Sequence, residues 1–384
     1  MHAGNADGLK LYDDEPHDYD AVLVVSFGGP EGHDDVMPFL DNVFRGLRGV
    51  TDETKQKIAE RYYRFGGVSP INAHTRAFID ALRQDLDSRG PSLPIYWGNR
   101  NWHPLLPDTL ERMSRDGVRR AIAYVTSTFS SYSGCRKYRE DLYEAVQRLP
   151  AAPATDRPPA IDRPLVIDRL RNGYNHPGFI EAVADRVREA LERVVPERRA
   201  ATPVVFTAHS LPESMARHAP YEAQLQDACR LVGDALEHQR WQLAYQSNNA
   251  RYGGEPWLGP DIVQALADQK AEGAGDVVVA PIGFVCDHME VVLDLDVDAA
   301  AAARELGIDM IRAGTVGTHP AFVGMVRDLI VERITASGTR RALGTLGPAH
   351  DFCPPDCCLS GRPGPVKPTI GEAREASSEH ERTP

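Results

Sequence analysis

The run Ala21–Pro30, AVLVVSFGGP, sets the fold class. Ala21 to Phe27 reads as an apolar strand buried on both faces. It ends in Gly28-Gly29-Pro30, and Asp34 or Asp35 can cap a helix that continues through Phe39 and Val43. The same strand–turn–helix unit recurs. Ala121–Ser127, AIAYVTS, feeds TFSSYSGC and then a charged helix. Val204–Ala208, VVFTA, delivers His209-Ser210-Leu211-Pro212. Val277–Ile282, VVVAPI, leads into Cys286, Asp287, His288 and Glu290. Strands alternating with helices predict parallel sheets with helices on both faces.

Two such sets flank the Pro-, Ala-, Asp- and Arg-rich stretch 150–164, which reads as a linker. The expected fold class is therefore α/β. Two doubly wound parallel-sheet domains of Rossmann type would enclose a cleft between them. The expected divisions are a disordered start at 1–19, a first domain at 20–160 and a second at 161–317. A helix at 318–338 would pack back on the first domain. A cysteine-bearing tail at 339–360 and a disordered end at 361–384 would follow.

The chain has 384 residues and a net charge of −12. An acidic surface argues against nucleic acid as a partner, because phosphate binding needs basic side chains. No apolar stretch approaches the roughly 20 residues of a membrane-spanning helix. The polar, acidic first twenty residues do not resemble a signal peptide, so a cytoplasmic location is expected. Disulfides are not expected there, and the six cysteines need another explanation.

In doubly wound folds ligands sit outside the carboxyl ends of strands. His209 and the group Cys286-Asp287-His288-Met289-Glu290 both fall at such ends. An imidazole there can accept protons or hold a metal. Glu290, Asp294 and Asp298 recur every four residues and would share one face of a helix. Such a stripe reads as a cation or proton path, or as a solvated acidic face. The alternation Leu293–Asp298 fits a half-exposed strand as well. Gly28-Gly29-Pro30-Glu31-Gly32 lacks the spacing of a nucleotide loop. In the tail, Cys353-Pro354-Pro355-Asp356-Cys357-Cys358 places three thiols in six residues. A fourth thiol from Cys135, Cys229 or Cys286 would complete a site for zinc or an iron–sulfur cluster. Cys229, on an amphipathic helix, reads as a core residue. Tyr96, Trp97, Trp102, Tyr252 and Trp257 read as packing residues or as walls for a flat ligand.

Five segments, taken in order, resemble the ferrochelatase family: VVSFGGPEGHDDVMPFL, RYYRFGGVSPIN, VVFTAHSLPESM, YQSNNARYGGEPWLGPDI and VVVAPIGFVCDHMEVVLDLD. The resemblance spans about Ala21 to Thr335. The tail CPPDCC with SSYSGC resembles the actinobacterial members that carry a [2Fe–2S] cluster and act on coproporphyrin III. The resemblance implies that His209 is an iron ligand and porphyrin proton acceptor, and that Glu290 faces the same metal. It implies an iron or proton route at Asp294 and Asp298, with His288 beside it. Ser69, Tyr138 and Phe27 match porphyrin-contacting positions. At Phe27 some bacterial relatives carry a tyrosine that binds product iron, and that contact is missing here. Cys135, Cys353, Cys357 and Cys358 match the cluster ligands.

The implied activity is insertion of Fe²⁺ into coproporphyrin III in haem biosynthesis. The product would pass to a coprohaem decarboxylase, and a monomer is expected. The alternatives are a protoporphyrin IX ferrochelatase, a cobalt chelatase acting on an early tetrapyrrole, and a haem-binding module without catalysis.

Overall fold

Strands that are apolar on both faces need helices on both sides, and the chain supplies them twice. The computed structural model describes residues 8–46, 49–149, 165–248, 254–336 and 338–375. Its strands, in chain order, are β1 (Leu9–Lys10), β2 (Ala21–Ser26), β3 (Ile95–Asn99), β4 (Arg120–Val125), β5 (Val166–Arg169), β6 (Val204–His209), β7 (Trp241–Gln246), β8 (Asp276–Ala280), β9 (Asp309–Arg312) and β10 (Arg374–Glu375). One four-stranded sheet runs β3-β2-β4-β5 and the other β7-β6-β8-β9. All neighbours within these two sheets are parallel. In both, strand order reverses around the first strand, so the crevices that bind ligands lie between β2 and β4 and between β6 and β8.

The linker composition of 150–164 predicts a domain boundary at 160/161, but that stretch lies outside the described residues. The residues just after it do not open the second sheet. Val166–Arg169 pairs with Arg120–Ala123 and closes the first. A parallel neighbour needs a crossover of a dozen or more residues. The helix Lys137–Gln147 and the stretch after it provide one.

Val22, Val24 and Ile122 of the first sheet share one buried cluster with Val204, Phe206 and Val278 of the second. The helix Pro320–Thr335 joins them. It packs on both Ile71–Arg89 and Pro177–Leu191, with Phe322 lying 5.7 Å from Phe78 and 6.4 Å from Phe179, ring to ring. No described helix is long and apolar enough to cross a membrane.

The described parts of the supposedly disordered ends, 8–19 and 361–375, are folded against each other. β1 pairs antiparallel with β10. Asp351 and Phe352 donate backbone N–H bonds to the Leu11 carbonyl, each 3.0 Å long. The tail has almost no secondary structure of its own, so its carbonyls need outside donors. Two buried arginines supply them. Arg136 donates to the carbonyls of Pro355, Cys357 and Lys367, and Arg139 to those of Ile370 and Gly371. The polar, acidic lead-in is ordered for a related reason: its carboxylates meet arginines from the far end of the chain, Arg333 buried and Arg340 half-buried. Asp13 lies 2.8 Å from Arg333, and Asp14 lies 3.3 Å from Arg340.

Candidate active site and thiol cage

The carboxyl ends of β2, β3, β4, β6 and β8 converge on a cleft holding a cavity of about 310 Å³. His209, His288, Glu290, Ser69, Tyr138 and Phe27 all line it. His209 ends β6, and its Nδ1–H donates to the carbonyl of Ser210. In the neutral ring that bond leaves the Nε2 lone pair facing the cleft, 3.8 Å from a carboxylate oxygen of Glu290. The backbone behind the ring is held where the Tyr221 hydroxyl donates to the His209 carbonyl at 3.0 Å. Glu290 reaches the site because the loop after β8 passes hard against β6. A Cβ on Gly283 would stand 2.6 Å from Ala208 Cβ.

His288 is the second imidazole in the cleft. Burial pushes its pKa below the ordinary histidine value, with Glu290 opposing and His209 assisting, so it stays neutral. Burial pushes the Cys286 thiol up to about 12. That burial favours the protonated thiol. The Ser69 hydroxyl accepts from the Met289 N–H at 3.3 Å, which ties the first domain to the turn carrying Glu290.

The acidic stretch is helical, which removes the strand alternative. Met289–Val291 opens it, Val292–Ala299 is π-helical and Ala300–Glu305 closes it. Along this stretch the three carboxylates differ in exposure. Asp294 is 12% exposed, whereas Glu290 is 51% and Asp298 61%. Asp294 accepts from Arg61 at 3.0 Å and from the Ser247 hydroxyl. Arg61 also stands 4.0 Å from Asp298. Burial raises the Asp294 pKa, while the Ser247 hydrogen bond works the other way. Asp296, between them, turns aside to Arg312 at 2.6 Å, and Arg312 also holds Asp287.

Residue types and spacing point to neither Arg61 nor Arg100. Arg100 follows β3 and lines the cleft with its guanidinium 4.6 Å from the Tyr138 ring centroid and 5.7 Å from that of Phe27. Asp141 pairs with it at 2.6 Å. Its one sequence signal is its place directly after a strand, the same signal that marks His209. The wall aromatics divide by contact. Tyr96 bonds Asp116, and Trp97 lies under Arg76. Both are packing residues, and Tyr252 lies outside the described residues.

Cys135 ends a π-helical turn, Tyr132–Arg136, after β4. The tail brings Cys353, Cys357 and Cys358 to it, while Cys229 is buried in the helix Tyr221–Ala235. The thiols of Cys353 and Cys358 neighbour that of Cys135, and the thiol of Cys357 neighbours that of Cys353. The Cys357 and Cys358 Sγ atoms lie 3.5 Å apart, and all four thiols are unoxidised. Hydrogen bonds from its thiol neighbours, then Arg139 and Arg169, hold Cys353 well below the ordinary thiol range. Arg169 is buried 3.6 Å from the Cys353 sulfur, and among the described residues no carboxylate pairs with it. A buried cation needs an anion, and four sulfurs bound to metal would be that anion. The cage thus fits a thiolate-ligated group. A further donor, His350, went unread in the sequence because a lone histidine in a loop gives no pattern. Its Nε2 lies 3.9 Å from the Cys357 sulfur, and with Cys353 and Cys357 it forms a potential metal-ligating triad within 4.8 Å.

Comparison with known proteins follows the same outline. A family model described as ferrochelatase matches residues 19–334. A ferrochelatase of Rhodopirellula baltica is 49% identical over 343 residues, which cover 89% of this chain and 93% of that protein. A coproporphyrin III ferrochelatase of Streptomyces coelicolor is 46% identical over 376 residues, covering 91% of this chain and 95% of that protein. Among solved structures, SirB from Bacillus subtilis with Fe³⁺ superposes with a TM-score of 0.51 at 11% identity, over 84% of this chain and 98% of that one, a likeness of fold. Spanning both sheets and the cleft between them, these matches place the chain in the ferrochelatase family.

Proposed function

We propose that this chain inserts Fe²⁺ into coproporphyrin III to give Fe-coproporphyrin III. The observation that carries the reading is the facing pair, His209 Nε2 and Glu290 at 3.8 Å, in an aromatic-walled cleft. Insertion exchanges two pyrrole N–H protons for one Fe²⁺ and transfers no electrons. The chemistry needs a base over the ring centre and walls that bend a flat macrocycle. His209 takes the pyrrole protons on Nε2, with Glu290 as the second acceptor and as an oxygen ligand to the incoming metal. Asp294 and Asp298 lead toward that pair. Arg61 stands there as a resident cation that an arriving Fe²⁺ displaces, while neutral His288 shapes the wall. Arg100 meets a substrate carboxylate, while Ser69, Tyr138 and Phe27 contact the ring. Phe27 offers the product iron no oxygen.

The tetracarboxylate substrate is supported by relatives such as that of Streptomyces coelicolor, whose name specifies coproporphyrin III. The product then goes to an enzyme that decarboxylates it. The free thiols of the cage suit a reducing cytoplasm. Cys135, Cys353, Cys357 and Cys358 hold a [2Fe–2S] cluster, which supplies a cross-link and one-electron redox capacity. No step of insertion passes through it.

Paired assays test the reading. Turnover with coproporphyrin III and Fe²⁺ is expected to exceed that with protoporphyrin IX or with Co²⁺. Preference for the dicarboxylate porphyrin overturns the substrate choice, and preference for Co²⁺ overturns the metal. Binding of the porphyrin without turnover leaves only a binding module. For the cage, anaerobically purified protein is expected to absorb in the visible and to contain iron and sulfide. A colourless protein with stoichiometric zinc excludes the cluster.

The close approach at Gly283 gives a further expectation. Gly283→Ala forces β6 and the loop after β8 apart, at an overpacking cost of about 1–3 kcal/mol. Because Glu290 moves with that loop, the insertion rate should fall by up to about 100-fold, as for a roughly 1 Å misplacement. A thermal melt and a single-turnover rate, both unchanged, would show that the contact relaxes freely.

A further inference from the structure

The loop after β4 has two faces. Phe129, Ser131, Ser133 and Gly134 line the cleft, and the next residue, Cys135, is a wall of the thiol cage. A chain of buried hydrogen bonds runs between the cage and this loop. Arg169 Nη2 lies 3.6 Å from the Cys353 sulfur, and its Nη1 donates to Asn172 Oδ1 at 2.9 Å. Asn172 Nδ2 donates to the Ser130 hydroxyl at 2.8 Å. Gln224 brackets Ser130: its Nε2 donates to that hydroxyl at 3.1 Å, and its Oε1 accepts from the Ser130 N–H at 2.8 Å. All four side chains are at least nine-tenths buried. The cleft-lining loop is therefore gripped at two points, through Cys135 itself and through Ser130.

We propose that the thiol cage positions the porphyrin-binding wall, and that Asn172 is the residue that couples them. The proposal rests on the porphyrin and cage readings above. A metal group in the cage fixes four sulfurs around itself, and emptying it releases them. Arg169 has no carboxylate to hold it among the described residues, so it follows Cys353. Asn172 accepts from that guanidinium with one end of its amide and donates to Ser130 with the other, and so passes the shift on. A continuous chain of buried hydrogen bonds with two arrangements is a physical route for coupling between sites. By linkage, a cage that tightens porphyrin binding is itself held more firmly by bound porphyrin. Asn172 touches no cysteine sulfur in the structure and does not line the cleft. It is a positioning residue.

The test measures binding, not turnover. Full-length protein is prepared with the cage loaded and again after stripping by a chelator under reducing conditions. Metal content and the visible spectrum report the cage. Fluorescence quenching of metal-free coproporphyrin III reports the cleft in the same samples. Loaded wild-type protein is expected to bind the porphyrin roughly tenfold more tightly than stripped protein, within the usual span of a coupling between two sites. Asn172→Ala should keep the wild-type metal content and spectrum, yet bring that ratio close to one. Asn172→Gln should restore part of it, because its amide still accepts from Arg169 and donates to the Ser130 hydroxyl. Should Asn172→Ala fail to fold, Ser130→Ala removes the same link and carries the same expectation.

Equal porphyrin affinity of loaded and stripped wild type overturns the proposal, as does an unchanged ratio in Asn172→Ala. Zinc found in place of iron and sulfide overturns the cluster identity alone, since the ratio is still read. No porphyrin binding by wild type in either state overturns both the proposed function and the coupling.

Discussion

His209→Ala is expected to lower the rate of iron insertion by about 10²- to 10⁴-fold, the contribution of a positioned acid–base group. Nε2 of His209 stands in the cleft opposite Glu290, on a ring anchored through its Nδ1 to the Ser210 carbonyl. His288 cannot take over, because burial already opposes its protonation. Porphyrin affinity should change by no more than about threefold, since the apolar walls that bury most of a ligand remain in place. The two quantities separate in a single-turnover experiment with Fe²⁺ under anoxic conditions, read by the porphyrin absorption bands, alongside a fluorescence titration without metal. A rate within tenfold of wild type would remove His209 from the chemistry. A matching collapse of porphyrin affinity would make it a binding residue instead.

The second large effect lies far from the cleft. Arg333→Met should destabilise the fold by about 3–5 kcal/mol, as when one partner of a buried ion pair is lost. Arg333 is 3% exposed, 2.8 Å from Asp13, and 3.9 Å from both Asp351 and Asp168. These carboxylates come from the start of the chain, the tail and β5, so one guanidinium bridges three otherwise separate segments. Methionine fills much of the space but removes the shared cation, leaving Asp13 to His17, Asp351 to Arg340 and Asp168 to Arg120. At about 2.1 cal/mol/K of unfolding entropy per residue, the loss corresponds to a melting point lower by about 4–6 °C. Differential scanning calorimetry gives the shift directly, and a change under about 1 °C would show that the network adds nothing net.

The pH dependence of this region has a definite sign. Burial alone would raise the Asp13 pKa, but Arg333 and then His17 more than offset it and hold the carboxyl below its ordinary value. The stabilisation from ionised Asp13 is therefore present above the unfolded carboxylate pKa and is lost as pH falls toward the folded one. In Arg333→Met the main offset is gone, so that acid-side loss should shrink.

Much of the cleft was legible because strand ends are local features. His209, His288 and Glu290 stand directly after or near buried apolar strands, and the doubly wound rule alone points to them. The helical state of Val292–Ala299 was less legible, because Leu293–Asp298 alternates like a strand and is helical too. The backbone settles it: the Ala300 N–H donates to the Leu295 carbonyl five residues back, a bond made inside a helix and not in a strand, while Val291, Leu295 and Ala299 pack into the core. The order of the terminal segments was not legible at all. An acidic lead-in and a proline-rich tail have the composition of solvated chain, and only the arginines waiting in the fold reverse that.

By itself the sequence determined the two parallel sheets, the strand ends that carry His209 and Glu290, and the gathering of three thiols in the tail. Each depends on neighbours in the chain: burial on both faces, the turn that follows a strand, and short spacing between cysteines. The tertiary structure alone decided which charges meet. It put Arg61 on Asp294 across 233 residues of chain, Arg333 between Asp13 and Asp351, Arg169 against the thiol cage, and Val166–Arg169 in the first sheet. Ion pairs and strand partners are chosen by proximity in space, after the loops between them have closed, and closing a longer loop adds only slightly to the entropic cost. Spacing along the chain therefore leaves little trace of them.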